Sequence, residues 1–120
     1  MKNSRVMRIN DEIMREVSAI IRRDLKDPRV GMMTSVTKVD TTNDLSHCKI
    51  HISVLGTEEE KEAALAGLKS AAGFIRKQVA SSVNLRQTPQ LHFLLDDSVE
   101  YSMKIEGLLR KVNKGENLEG

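Results

Sequence analysis

Residues 47–54, His-Cys-Lys-Ile-His-Ile-Ser-Val, alternate polar and apolar without a break. Successive side chains on a strand point to opposite faces, so Cys48, Ile50, Ile52 and Val54 share one side while His47, Lys49, His51 and Ser53 share the other. A sheet built on such a strand is covered on one side and wet on the other. The remaining segments must therefore supply partner strands and an apolar cover.

The cover is readable on both flanks. Val6, Ile9, Ile13, Val17, Ile20, Ile21 and Leu25 recur at helical spacing and predict an amphipathic helix over 6–25, ended by Asp27-Pro28 because the residue before a proline is pushed out of the helical region. Its opposite stripe is Arg8, Glu12, Arg15, Ala19, Arg22 and Lys26, with a basic excess. A charged stripe is most often just a solvated face, with Glu12 placed to pair with Arg8 and Arg15. Residues 32–39 have the Thr and Val content of a strand, yet Val36 and Val39 are three apart and share a face only across a bulge. The polar cluster 41–46 then turns the chain into the alternating strand, making a hairpin.

Thr57 and Glu60 fit a capping box that starts a second helix, and Glu58, Glu59 and Glu60 occupy the positive end of its dipole. Leu65, Leu68 and Ala72 mark one apolar face, and Ile75, Val79 and Val83 mark another. Between them Ala71-Ala72-Gly73 breaks the pattern with small side chains. Glycine in a helix interior costs about 1 kcal/mol against alanine, and what the chain gains is bare backbone that a phosphate or another helix can approach. Lys69, Arg76 and Lys77 border that patch at helical spacing. A close crossing or bend of two helices accounts for the same residues, and on them alone it is the stronger of the two readings. A loop over 84–88 carries Arg86, Leu91, Phe93 and Leu95 alternate on a third strand, and Asp96-Asp97-Ser98 caps a last helix reaching about Val112.

The order predicts an α+β fold. A hairpin followed by a right-handed helical crossover puts the third strand parallel to the second. Strand 48–54 then lies in the middle of a mixed three-stranded sheet with helices on one face. Residues 1–113 are expected to form a single RNA-binding domain and 114–120 a short disordered tail.

Composition narrows the function. Nineteen Lys and Arg against 17 Asp and Glu leave a net charge of +2, so any anion binding must come from local arrangement. With no Trp, one Tyr and two Phe, the chain cannot stack a run of bases on its sheet. RNA recognition would work through backbone and shape. The single Cys48 forms no internal disulfide, and no signal peptide or membrane span is visible, so a soluble cytoplasmic protein is expected. His47 and His51 are roughly 13 Å apart along a strand, too far to share a metal. Neither a Ser-His-acid set nor a phosphate-binding glycine pattern occurs, and Asp96-Asp97 reads as a helix cap before a hydrolase pair. No enzymatic activity, metal or cofactor is expected.

Helix, hairpin, two helices joined at a small-residue break and a strand are similar in order to the type II K-homology (KH) fold, with Ala71-Ala72-Gly73 in place of its glycine-rich loop. That replacement resembles the bacterial ribosome-binding factor A family, as do Lys26-Asp27-Pro28-Arg29-Val30-Gly31, Asn43-Asp44-Leu45-Ser46, Ser53-Val54-Leu55-Gly56, Leu85-Arg86, Thr88-Pro89, Leu91-His92-Phe93 and Asp96-Asp97-Ser98-Val99-Glu100-Tyr101. The resemblance implies a monomeric factor that binds the immature small ribosomal subunit and its RNA, assists late maturation and 5′-end processing, supports growth in the cold and is released with the aid of an assembly GTPase. It carries over Ala71, Ala72 and Gly73, with Arg76 beside them, and the Asp27-Pro28-Arg29 segment. Surface geometry adds Lys69, Lys77, Arg8, Arg15, Arg22 and Lys26, and the loop adds Arg86. A module docking an acidic protein without RNA is the alternative.

Overall fold

The computed structural model describes residues 3–25, 27–30 and 34–96. The order is α1 (Ser4–Arg23), β1 (Thr34–Thr41), β2 (His47–Val54), α2 (Glu58–Ser70), α3 (Ala72–Ser82) and β3 (Gln90–Leu95). Lys26, the residues just before β1 and the expected C-terminal helix lie outside the described residues.

The Asn3 side chain accepts from the Val6 amide at 2.8 Å and starts α1. Val6, Ile9, Ile13, Val17, Ile20 and Ile21 are all buried, and each such side chain contributes about 1.5–3 kcal/mol relative to exposure. The helix ends at Arg23, two residues short of the expected 25, because the Leu25 amide turns back to the Ile20 carbonyl at 3.1 Å. Asn10 fixes α1 on the sheet by accepting from the Thr41 amide at 2.9 Å.

The sheet order is β1-β2-β3, with β1 antiparallel and β3 parallel to β2, so the crossover and the central strand are as the sequence predicts. The expected bulge is present. The register shifts between Val36 and Lys38, so that Val36 faces Ile52 and Val39 faces Ile50. The intervening Thr37 donates its hydroxyl to the His51 carbonyl at 3.3 Å and to the Asp96 carboxylate. Cys48, Ile50, Ile52 and Val54 are buried as their alternation requires. On the other face His47 and Lys49 are exposed and His51 half-buried, but Ser53, expected to be wet, is only 5% exposed.

The hairpin turn holds Leu45 at φ 62°, an uncommon value for a branched residue, while burying its side chain. Asp44 secures that turn by accepting from the Thr42 and Ser46 hydroxyls, both at 2.7 Å, and from the Ser46 amide at 3.1 Å. These bonds, led by the one from the Ser46 hydroxyl, hold the Asp44 carboxyl at a pKa of about 2. All three helices pack on one face of the sheet, α1 chiefly over β1 and the α2–α3 pair over β3. Leu68, Ile75, Val79 and Phe93 join the β2 side chains in a single core. This element order and one-sided cover match the KH-like arrangement expected.

Candidate nucleic-acid interface

The capping box is complete: the Thr57 hydroxyl accepts from the Glu60 amide, and the Glu60 carboxylate accepts from the Thr57 amide, each at 3.1 Å. After the thirteen residues of α2 the axis breaks at Ala71, which lies at φ −89°, ψ 0°, between the helical and extended regions. Its amide still reaches the Gly67 and Leu68 carbonyls at 3.1 Å, so the junction is a tight corner with no intervening loop. Ala71 and Ala72 lean half-buried against the core. Gly73, at the second position of α3, is exposed, and a Cβ built there meets no atom within 4 Å. Nothing in the described fold requires a glycine at this position.

Gly67, one turn before the corner, is the opposite case. A Cβ there would lie 2.9 Å from Val30 Cγ2 and 3.3 Å from Asp27 Oδ2, so the α1–β1 connector packs directly on bare α2 backbone. The bend that the sequence allowed for the small residues is the corner at Ala71, close backbone approach within the described fold occurs at Gly67, and Gly73 is left facing outward. Lys69 in the last turn of α2 and Lys77, one turn past Gly73, are both exposed. So is Phe74, at 45% of its surface. No side chain caps the start of α3.

Arg76 corrects the expected geometry. It does not border the patch as a free cation: it is half-buried, and its guanidinium donates to the Thr88 carbonyl at 2.7 Å and the Pro89 carbonyl at 3.1 Å. It ties α3 to the segment that delivers β3. Arg29 is also engaged. It forms a forked ion pair with Asp27, closest at 2.6 Å, which holds the Asp27 carboxyl at a pKa of about 2 and raises the guanidinium further.

The α1 stripe divides between two grooves. Arg8 and Arg15 line a cleft of about 530 Å³ between α1 and residues 82–85, together with Arg5, Glu12 and Glu16. Arg5 also lines a second cleft, of about 380 Å³, which it shares with Arg86, Asn43 and Asp44. The two clefts are therefore linked through Arg5, which lies one helical turn before Arg8 and which that i−3 spacing could have added to the stripe. Arg22 lies apart from them, in a groove between α1 and the start of β1. The surface thus offers an arginine-lined track and a bare helix corner flanked by two lysines. Both offer cations to phosphate oxygens, and the first cleft also carries Glu12 and Glu16. Among the described residues no cluster of three or more His, Cys, Asp or Glu could hold a metal, and no helix is long and apolar enough to cross a membrane.

Comparison with known proteins agrees with this architecture. The family model described as "Ribosome-binding factor A" matches residues 5–109. Ribosome-binding factor A of Clostridium tetani is 46% identical over 117 residues, covering 98% of this chain and 97% of its own. The crystal structure of the Thermus thermophilus protein superposes with a TM-score of 0.67 at 26% identity, over 75% of this chain and 93% of that one. A homology model of the Thermus thermophilus factor, fitted into the cryo-EM map of a 30S complex, gives 0.61 at 26% identity over 73% and 91%. The fold is KH-like, as in those structures. With a family match over nearly its whole length and a relative sharing almost half its residues, the chain belongs to the ribosome-binding factor A family.

Proposed function

We propose that this chain is a non-enzymatic maturation factor that binds the immature small ribosomal subunit by its RNA backbone. The observation that carries the proposal is the open space at Gly73 between exposed Lys69 and Lys77. A glycine that the fold itself does not use leaves room for a ligand's backbone, and two cations beside it favour a phosphate. In this reading Ala71 and Ala72 set the corner, Gly73 gives close approach, and Lys69 and Lys77 neutralise phosphates. Arg8, Arg15 and Arg86, with Arg5, extend the contact along the clefts. Arg22 would reach an outlying phosphate, Lys26 stays a candidate from its sequence position alone, Arg29 acts with its charge shared by Asp27, and Arg76 positions the loop before β3.

Membership of the family and the 30S complex of a relative support the choice of the small subunit as partner. Assistance to late assembly and 5′-end processing in the cytoplasm, a role in the cold, and release by an assembly GTPase from a monomeric state complete the proposal.

The test is co-sedimentation of the full chain with small subunits over a salt series, comparing the wild type with Lys69→Gln/Lys77→Gln. Each lost phosphate contact is expected to flatten the slope of log K against log salt by about 0.7–0.9. An unchanged slope removes the corner from the interface. Survival of the complex after nuclease treatment would assign it to a protein partner and overturn the RNA reading.

A further inference from the structure

The sheet face away from the helices carries exposed histidines and a lysine toward its β2–β3 side. The register sets Lys38 opposite His51, and Asp40, Lys49 and His92 in one row, with His47 and His92 on neighbouring strands two residues out of line. Parallel pairing of β2 and β3 brings those two rings together, with Nδ1 of His47 3.0 Å from Nε2 of His92 and centroids 5.1 Å apart. One ring donates to the other, and which one does so depends on the tautomer. His47, His92, Lys38 and Lys49 are exposed, and Leu94 beside them keeps 38% of its surface. Two aspartates belong to this face: Asp40 on β1, and Asp96 at the end of β3, whose carboxylate accepts from the Thr37 hydroxyl. Asp44 lies in the turn just before His47 and is held by Thr42 and Ser46.

Among the described residues of this face two lysines stand with two aspartates, and three imidazoles can change the balance. Imidazole is the side chain that ordinarily changes charge between pH 5 and 8. Protonating the pair gives an imidazolium that still donates to its neighbour. His47 Nε2 and His92 Nδ1, which have no protein partner among the described residues, remain to meet an anion. A phosphate arriving there favours the protonated state, and a proton bound there favours the phosphate.

We infer that the open face of the sheet, centred on His47, His92 and Lys49, is a second, proton-gated contact for the phosphate backbone of RNA. It rests on the reading of the chain as an RNA-binding factor, and it adds a surface opposite the helix-covered face together with a pH dependence that the lysine-flanked corner lacks. RNA is the occupant chosen because, among the described residues, the face offers cations and N–H donors spread along three strands, with one exposed leucine as its apolar content, which suits a repeating anion better than an apolar protein anchor.

The experiment measures the Kd of the full chain for protein-free small-subunit ribosomal RNA from pH 8.0 to 6.0 at fixed low salt, for the wild type and for His47→Asn/His92→Asn. Linkage gives up to tenfold in affinity per pH unit for each proton taken up. Wild-type binding is expected to tighten by about threefold to tenfold per unit of falling pH, and the double variant by less than about twofold. A double variant that follows the wild type at every pH overturns the proposal while leaving the proposed function intact. Wild-type protein that fails to bind at either pH overturns both. If intact subunits show the pH dependence and protein-free RNA does not, the partner is an acidic ribosomal protein and the RNA assignment is wrong. Lys49→Gln carries the test should the double variant unfold. It is expected to flatten the salt slope by about 0.7–0.9 at pH 6.0, and an unchanged slope there overturns the proposal.

Discussion

Replacing Gly73 by alanine separates what the fold needs from what a partner needs. The new methyl enters open space, with no atom of the described chain within 4 Å, so no overpacking opposes it. In a helix interior glycine is about 0.8–1.0 kcal/mol worse than alanine. Gly73 is the second residue of α3, where fewer helical constraints act, so roughly half of that, about 0.5 kcal/mol, is the expected gain. For a domain of this size that raises Tm by about 2–4 °C, readable by circular dichroism. Affinity for small subunits is expected to move the other way. A methyl that pushes a phosphate off one charge-assisted hydrogen bond forfeits about 1.5–3 kcal/mol, or roughly tenfold to a hundredfold in Kd. Gain of stability with loss of binding is a signature that a purely structural glycine cannot give. A stabilised variant binding within twofold of wild type would refute the partner role, and a destabilised variant would refute the geometry. Gly67→Ala is the control of opposite sign. Overpacking against Val30 and Asp27 costs about 1–3 kcal/mol, offset by about 1 kcal/mol of helix propensity, so net destabilisation of about 1 kcal/mol is expected.

Two further outcomes follow from the hydrogen bonding. Arg76→Gln loses the donors to Thr88 and Pro89 and is expected to destabilise the chain by about 1–3 kcal/mol in urea unfolding, where a surface cation would give almost nothing. The Asp44 carboxyl is held near pKa 2, below the ordinary aspartate value of about 3.9, so its stabilising effect is complete above the unfolded value and is lost as pH falls through the folded one. Melting temperature is therefore expected to drop between pH 4.5 and 2, with a shallower drop in Asp44→Asn; equal pH profiles would remove Asp44 from the turn's energetics. Asp27 has the same sign through Arg29, so some of the slope persists in that variant.

The strand order and the one-sided cover were legible because the β2 sequence alternates polar and apolar residues and the capping box fixes where α2 begins. Even the bulge could be read, since Val36 and Val39 could reach one face in no other way. What one strand's period cannot give is the register between strands. Hence the His47–His92 contact, which depends on His47 pairing with Gln90, was out of reach. Arg76 has the spacing of an exposed helix residue, and only the return of residues 88–89 past α3 turns it inward. The glycines divided in a way that sequence could not foresee. Both are helical, and which one a neighbour touches depends on where the connector after α1 runs. Leu45 in the left-handed region was likewise hidden, because leucine gives no local signal for it.

The most direct test of the α2–α3 corner as an RNA contact uses the chain's own chemistry. Cys48 is fully buried and burial pushes its thiol pKa up, so a single introduced surface cysteine is the one available for labelling. An iron chelate tethered at Ser70→Cys, exposed beside the corner, would generate hydroxyl radicals in bound small subunits, with Glu59→Cys at the far end of α2 as the control. Strong, localised cleavage of ribosomal RNA from position 70 and weak or absent cleavage from position 59 is the predicted result. Cleavage from 59 alone, or equally from both, would contradict the account.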